Sequence, residues 1–464
     1  MVFSSLVFLW LFLPIVLILY YVAKPVYRNV LLLVASLFFY AWGEPIYLSV
    51  MVISILINYV CGQLVAPAGK AKNKTALVIG VIINLSFLGV FKYTGFVIEN
   101  INALFGADIA VKPLALPIGI SFYTFQSISY LVDIYRGVCK PQKNIIKMGL
   151  FISFFPQLIA GPILKYYDIA AQIDNRTVSW AKFNEGAVRF LIGLGKKVII
   201  ANTLAVTADE VFGLNMADMS TPDAWIGLIA YYFQIYFDFS GYSDMAIGLG
   251  KMFGFQINEN FNHPYISDSI QDLWRRWHIS LATWFKEYVY IPLGGSRGGT
   301  LKTYRNLMIV FFLTGLWHGA SWNFVLWGVW NGVFIILEKI IPIKKMLRWL
   351  PLQICYVTVV FWAGLVLFRT ETLTHAGQFF TRLVDGYRID VPTTLLSKEY
   401  VIMVVIGFLC CGMGELLFKQ LPLKTVWRET LVKYGTPAFC WVAAYFSLLM
   451  LASNTYNPFI YFRF

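Results

Sequence analysis

The run Asn306–Leu337, N-L-M-I-V-F-F-L-T-G-L-W-H-G-A-S-W-N-F-V-L-W-G-V-W-N-G-V-F-I-I-L, decides how this chain is read: 32 residues without Asp, Glu, Lys or Arg. One straight helix of that length would measure about 48 Å at 1.5 Å per residue. The hydrocarbon core of a bilayer is only about 30 Å thick. The middle of the run, Thr314-Gly315-Leu316-Trp317-His318-Gly319-Ala320-Ser321-Trp322-Asn323, interrupts the apolar sequence with small and polar residues. Arg297, Lys302 and Arg305 precede it, and Lys339 and Lys344 follow it. The pattern predicts two elements that meet near His318 and return both basic flanks to one side. His318 would then lie about 18 Å from Asn306, near mid-membrane. An ionisable side chain there is costly and marks a functional candidate. Imidazole suits general-base work, because its pKa lies near neutrality and desolvation favours the form that accepts a proton. A histidine bonded between helices, with Thr314 or Ser321 as partner, is the competing reading, and the residues alone leave both open.

The rest of the chain asks for the same solvent. Of 464 residues, 59% are hydrophobic, 17% aromatic and 13% charged, and mean hydropathy is +0.67. Soluble domains carry about 25% charge, so a soluble globule is excluded, as is a disordered chain. Charge-free runs recur at Met1–Ala23, Pro45–Gly69, Thr75–Phe91, Pro113–Val132, Met148–Leu164, Trp349–Phe368 and Tyr434–Phe462. The shorter runs Asn29–Gly43, Ala224–Phe237 and Tyr400–Gly414 predict tilted, broken or re-entrant elements. Together they predict an all-α polytopic membrane protein of roughly ten to twelve transmembrane helices. Nothing basic precedes the first run and no small-residue cleavage site follows it, so it is expected as a retained span. With neither a fixed-period repeat nor a linker, residues 1–464 are expected as one membrane domain.

The 37 Lys+Arg against 24 Asp+Glu leave a net charge of +13. No basic arm, zinc-ligand pattern or nucleic-acid fold accompanies it, which argues against a nucleic-acid partner. Lys24/Arg28, Lys70/Lys72/Lys74 and Arg136/Lys140/Lys143/Lys147 follow alternate spans. They mark cytoplasmic loops and an extracytoplasmic N-terminus. Lys339/Lys344/Lys345/Arg348 and the stretch Lys419–Lys433 read the same way. Six cysteines without C-x-x-C spacing read as small buried hydrophobes, not as a metal site.

Two further stretches carry candidate chemistry. In Leu273–Tyr288, Trp274, His278, Leu281, Phe285 and Tyr288 form one stripe at helical spacing, with Arg275 and Lys286 on other faces. This is either an interfacial helix with aromatic and basic anchors, or a helix presenting His278 to a cavity and arginines to an anionic ligand. In Tyr231–Asp244, Asp238 and Asp244 sit in an aromatic run. Buried carboxylates need partners, and Arg275/Arg276 are the expected ones, in an architectural role. Pro and Gly in Leu116–Phe122 and Phe155–Ile163 predict broken helices, tolerated where backbone lines a cavity or is buried in protein.

With these residues in view, the sequence resembles the membrane-bound O-acyltransferase family, in its bacterial branch of alginate and cell-wall O-acetyltransferases. The resemblance rests on Leu116–Phe125 with Asp133, Phe155–Ile163, Tyr236–Gly250, Trp274–Gly295 and Leu313–Trp327, and is densest over about 115–340. The pair R-R-W-H-I-S-L and L-W-H-G-A-S-W is its most specific element. The resemblance implies that His318 is catalytic and that His278 is the second family histidine. It also implies tilted helices ringed about a central tunnel. Acetyl-CoA is implied as the cytoplasmic acyl donor, with no bound cofactor, and an extracytoplasmic acetyltransferase as the partner that modifies the polysaccharide. Residues 342–464 have no counterpart in these motifs and are expected to carry partner specificity.

The resulting expectation is a transferase in the bacterial cytoplasmic membrane that passes acetyl groups across the bilayer for polysaccharide O-acetylation. His318 would act as general base or carry the acyl group itself. Trp274, Arg275, Arg276, Trp317, Asn323, Asp238 and Asp244 are the candidate substrate-binding residues. A related branch passes D-alanine from a carrier protein. A transporter would also need broken helices and intramembrane His and Asp groups, and a membrane scaffold would need neither histidine.

Overall fold

The computed structural model describes residues 1–69, 71–110, 114–389, 393, 395–420, 435–453 and 456–460. Lys70, Lys424, Arg428 and Lys433, expected in cytoplasmic loops, lie outside the described residues, as does Pro113. The described residues form helices and connecting segments and contain no β-strand. Eight of the helices are long and apolar enough to cross a membrane. Several others, shorter or more polar, accompany them. The protein is an all-α polytopic membrane protein.

The chain packs as two compact units. The first comprises Met1–Phe190 and Met245–Asn258. Its helices are α1 (Phe8–Val22), α2 (Pro25–Gly43), α3 (Leu48–Val65), α4 (Lys74–Phe105), α5 (Ile120–Arg136) and α6 (Ile145–Ser153). The charge-free runs seed these helices, and polar side chains set their ends. Asn73 caps α4 by accepting from the Ala76 N–H, and Asn144 caps α6 through the Ile146 and Lys147 N–H groups. The run Asn29–Gly43, expected as tilted or broken, is instead part of a regular 19-residue span, because Pro25 starts a turn that Arg28 continues. The predicted breaks are present. Helix α6 stops at Phe154, before Pro156, and the freed groups find partners: Phe155 N–H donates to Ser36 Oγ (3.1 Å) and Gln157 Nε2 to the Phe151 carbonyl (2.9 Å). Gly119, at φ +76°, lies so close to this break that a Cβ there would sit 2.6 Å from the Leu158 carbonyl oxygen.

The second unit comprises Leu191–Asp244 and Glu259–Phe464. Helices α7 (Trp180–Gly213) and α8 (Thr221–Met252) each contribute to both units. Residues 231–250 of α8 are all buried, Asp238 and Asp244 among them. There follow α9 (Ile270–Arg276), α10 (Ile279–Phe285), α11 (Thr300–His318), α12 (Trp322–Ile340), α13 (Leu350–Arg369), α14 (Lys398–Phe418) and α15 (Thr436–Ser453). Helix α14 is broken where expected, at Gly412, whose φ is +114°.

The 32-residue run folds as the predicted hairpin. Helices α11 and α12 meet at Gly319-Ala320-Ser321 and pack tightly along glycines. A Cβ on Gly315 would lie 2.3 Å from the Phe324 carbonyl oxygen, and one on Gly328 2.3 Å from that of Phe311. Gly319 and Gly332 complete two small-xxx-small repeats, which allow membrane helices to approach backbone to backbone. Asn323 ties the hairpin to the end of α13, donating from Nδ2 to the Thr370 carbonyl oxygen (2.8 Å) and to its Oγ1 (3.1 Å).

Candidate active site

Leu273–Tyr288 is not the single helix expected. Helix α9 ends at Arg276, α10 starts at Ile279, and His278 between them adopts a left-handed conformation at φ +47°. The break is held by a distant loop. Asn262 N–H donates to the Arg276 carbonyl and Ile279 N–H to the Asn260 carbonyl, both at 2.9 Å. The Asn260 side chain binds the turn as well. Its Oδ1 accepts from Ser280 N–H (3.2 Å) and Oγ–H (2.9 Å) and lies 3.2 Å from His278 Nδ1. Its Nδ2 donates to Ser243 Oγ (3.1 Å). These bonds replace the helical ones lost at the break.

The break turns both halves toward one cavity of about 320 Å³, the lower end of the usual range for small-molecule sites. Trp274, His278, Leu281 and Phe285, four of the five predicted stripe residues, line it. From α11 come Leu307, Val310, Phe311, Thr314 and His318, spaced i, i+3, i+4, i+7 and i+11 along one face. That face runs from Leu307 to His318 for about 16 Å. Arg275 and Lys286, expected on other faces, both line the cavity, because the break reorients α10 relative to α9. Lys339 of α12 joins them. All three cations are exposed, whereas His278 and His318 are only 2% and 7% exposed. The cavity therefore has a cationic open wall and a buried wall with two imidazoles.

The His318 ring packs edge-on against Trp317, Trp327 and Phe368, with centroids 4.9–5.3 Å apart. Trp317 also lies 6.1 Å from the His278 ring, so it touches both histidines without lining the cavity. A smaller cavity of about 20 Å³ also touches His318, and Trp274, Trp277, Phe361 and Ile460 are among its walls. His278 lies outside the eight spans. Burial pushes its pKa down from the ordinary histidine value to about 3, so the ring is neutral at physiological pH.

A match to the family model described as membrane-bound O-acyltransferase covers residues 138–378, which include every residue lining the larger cavity. The "Probable alginate O-acetylase AlgI" of Pseudomonas putida is 42% identical over 488 aligned residues, covering all of both chains. The "Peptidoglycan O-acetyltransferase" of Helicobacter pylori is 37% identical over all of this chain and 98% of that one. The "Teichoic acid D-alanyltransferase" of Bacillus subtilis is 29% identical over 50% of this chain and 62% of that one.

The chain belongs to the membrane-bound O-acyltransferase family. It is an acyltransferase of the bacterial O-acetylase branch.

In this acyltransferase the remaining candidates take other positions. Arg276 does not line the cavity; its Nε donates to Asp272 Oδ2 at 2.8 Å, one helical turn back. Asp238 and Asp244 do not pair with Arg275 or Arg276. Asp238 pairs with Lys197 and Asp244 with Lys196, each at 2.7 Å, since α7 lies alongside α8 in the second unit. The close approach is marked at Gly241, where a Cβ would fall 2.8 Å from the Gly193 carbonyl oxygen. Asp238 Oδ2 also accepts from Ile460 N–H (2.8 Å), and Lys197 donates to Asn202 Oδ1 (2.8 Å) and to the Pro458 carbonyl. Asn202 Nδ2 donates to Asn457 Oδ1 (3.1 Å), and Phe459 stacks on Tyr242 at 4.7 Å. This buried ion pair fastens residues 456–460 so that Ile460 reaches the smaller cavity beside His318. Sequence reasoning missed Asn260 and this role of Ile460. Neither side chain carries a charge or a periodic signal, and both act on residues far along the chain.

Proposed function

We propose that this acyltransferase moves acetyl groups from cytoplasmic acetyl-CoA to an extracytoplasmic acceptor for O-acetylation of a cell-surface polysaccharide. His318 is the general base. It takes the proton from the acceptor hydroxyl as the oxygen bonds to the thioester carbonyl carbon. Collapse of the tetrahedral intermediate breaks the C–S bond, and the leaving thiolate takes the proton back from the imidazolium. His278 orients donor or acceptor within the same cavity. Arg275, Lys286 and Lys339 receive the anionic donor, whose phosphates favour a cationic entrance. The enzyme sits in the bacterial cytoplasmic membrane with its N-terminus outside, so that the cationic wall and the loops beside it face the cytoplasm.

The observation that carries this reading is the cavity itself: two buried imidazoles from separate segments opposite three exposed cations. The relatives' names, alginate and peptidoglycan O-acetylases, favour a polysaccharide product. Purified enzyme incubated with radiolabelled acetyl-CoA and an extracytoplasmic partner should release CoA and label the acceptor. His318→Ala should lower turnover by about 10²-fold or more with an unchanged elution profile. Turnover within a few-fold of wild type would remove His318 from the mechanism.

A further inference from the structure

Four hydrogen bonds converge on the side chain of Asn260, which is fully buried at 0% exposure and lies in the loop before α9. Their directions fix each other. Ser280 N–H can only donate, so the end it meets is Oδ1, which leaves Nδ2 to donate to Ser243 Oγ. An amide oxygen only accepts. Ser280 Oγ, 3.5 Å from His278 Nδ1, gives its proton to the nearer Oδ1 at 2.9 Å, so the geometry favours a ring proton on Nδ1 and, in the neutral ring, a lone pair on Nε2. We propose that Asn260 is the positioning residue of the acyl-transfer site, holding His278 as the neutral Nδ1–H tautomer so that Nε2 accepts a hydrogen bond from substrate.

The backbone supports the same assignment. Asn260 binds both its own ring partner and the residues that follow it, through the Ile279 and Ser280 N–H groups. This holds His278 in its left-handed turn, a conformation a non-glycine residue keeps only where surrounding contacts determine it. The choice of amide over carboxylate has a consequence. A carboxylate at this distance would favour the imidazolium, which has no lone pair to offer. An amide orients the ring without charging it. The low pKa imposed on His278 by burial agrees with a neutral ring. The titratable groups sharing its cavity are His318, Tyr290, Arg275, Lys286 and Lys339.

The proposal rests on acyl transfer at this cavity only for its kinetic arm, so the first test is independent of activity. Full-length protein labelled with ¹⁵N-histidine, with His278 assigned by its loss in His278→Gln, should show a protonated Nδ1 and a bare Nε2 from pH 6 to 8. A bare Nδ1, or an imidazolium at pH 7, overturns the proposal whatever the enzyme's substrate. In the kinetic arm, Asn260→Asp should retain turnover at pH 8.5 and lose roughly tenfold or more by pH 6, as His278 becomes protonated. The same substitution in a His278→Gln background should leave the pH profile unmoved. Equal losses in both backgrounds would mean that Asn260 only builds the loop. Should Asn260→Asp fail to fold, the tautomer measurement on the wild-type chain still decides.

Discussion

His278 and Lys197 are ionisable side chains at 2% and 1% exposure, yet their surroundings settle their charge in opposite ways. His278 meets aromatic rings and an amide, so its neutral form is favoured. The unfolded chain binds a proton at that ring below about pH 6.5, whereas the folded protein does not until about pH 3. Protons thus favour the unfolded state. Stability should fall as pH drops from about 6.5, with a slope of up to about 1.4 kcal/mol per pH unit from this group. Thermal unfolding in detergent between pH 7.5 and 5.5 should show a shallower loss for His278→Gln than for wild type. Lys197 instead meets Asp238 and stays paired. Lys197→Met leaves a buried carboxylate without its cation and should cost about 3–5 kcal/mol, whereas Lys197→Met with Asp238→Leu should recover much of that. A double substitution no more stable than the single would argue against a pair. At this scale the sequence marked His318, His278 and both aspartates as exceptional. It misassigned the carboxylates' partners, because two adjacent arginines are conspicuous in sequence while Lys196 and Lys197 become neighbours only through the packing of α7 on α8.

Among the helices, the α11–α12 hairpin was legible and the α9–α10 break was not. The hairpin announces itself locally: a run too long for one crossing, small residues at its middle, and basic flanks. The break depends on Asn260 and Asn262, whose hydrogen bonds outcompete continuation of a helix that periodicity alone favours. The stripe survived because both short helices face the same cavity. The glycines of the hairpin give a direct test. Gly315→Ala places a methyl against the Phe324 carbonyl and should destabilise by roughly 1–3 kcal/mol or more. It should also reduce acetyl transfer, because His318 is one turn further along the same helix. Gly377, where an added methyl would meet nothing within 4 Å, is the control, and Gly377→Ala should unfold with wild type. Matching melting temperatures for both alanine variants would show that close helix contact is dispensable.

At the scale of the whole chain, charge and burial are set against each other within the second unit. Its cavity opens on three cations and closes on imidazoles, so in the proposed reaction long-range attraction would act on an anionic donor before any specific contact forms. Replacing Arg275, Lys286 and Lys339 together with Gln should raise KM for acetyl-CoA roughly tenfold and flatten its dependence on salt, with a smaller effect on kcat. Reporter fusions at Lys72–Lys74 and at Lys344 should both read cytoplasmic. Either one reading outside would reverse the entry side of the donor. The membrane solvent was legible from composition, since it is written residue by residue. The cavity was not, since it is assembled from segments that meet only in three dimensions.

The fastening of residues 456–460 also has a consequence for synthesis. Ile460 forms part of the wall beside His318, and its backbone is secured by Asp238 and Lys197, residues made long before it. A nascent chain emerges N-terminus first, so the hairpin bearing His318 is in the membrane while this wall is still open. Lys197 and Asp238 meanwhile have each other as interim partners. A chain interrupted before residue 460 would lack this part of the wall beside His318.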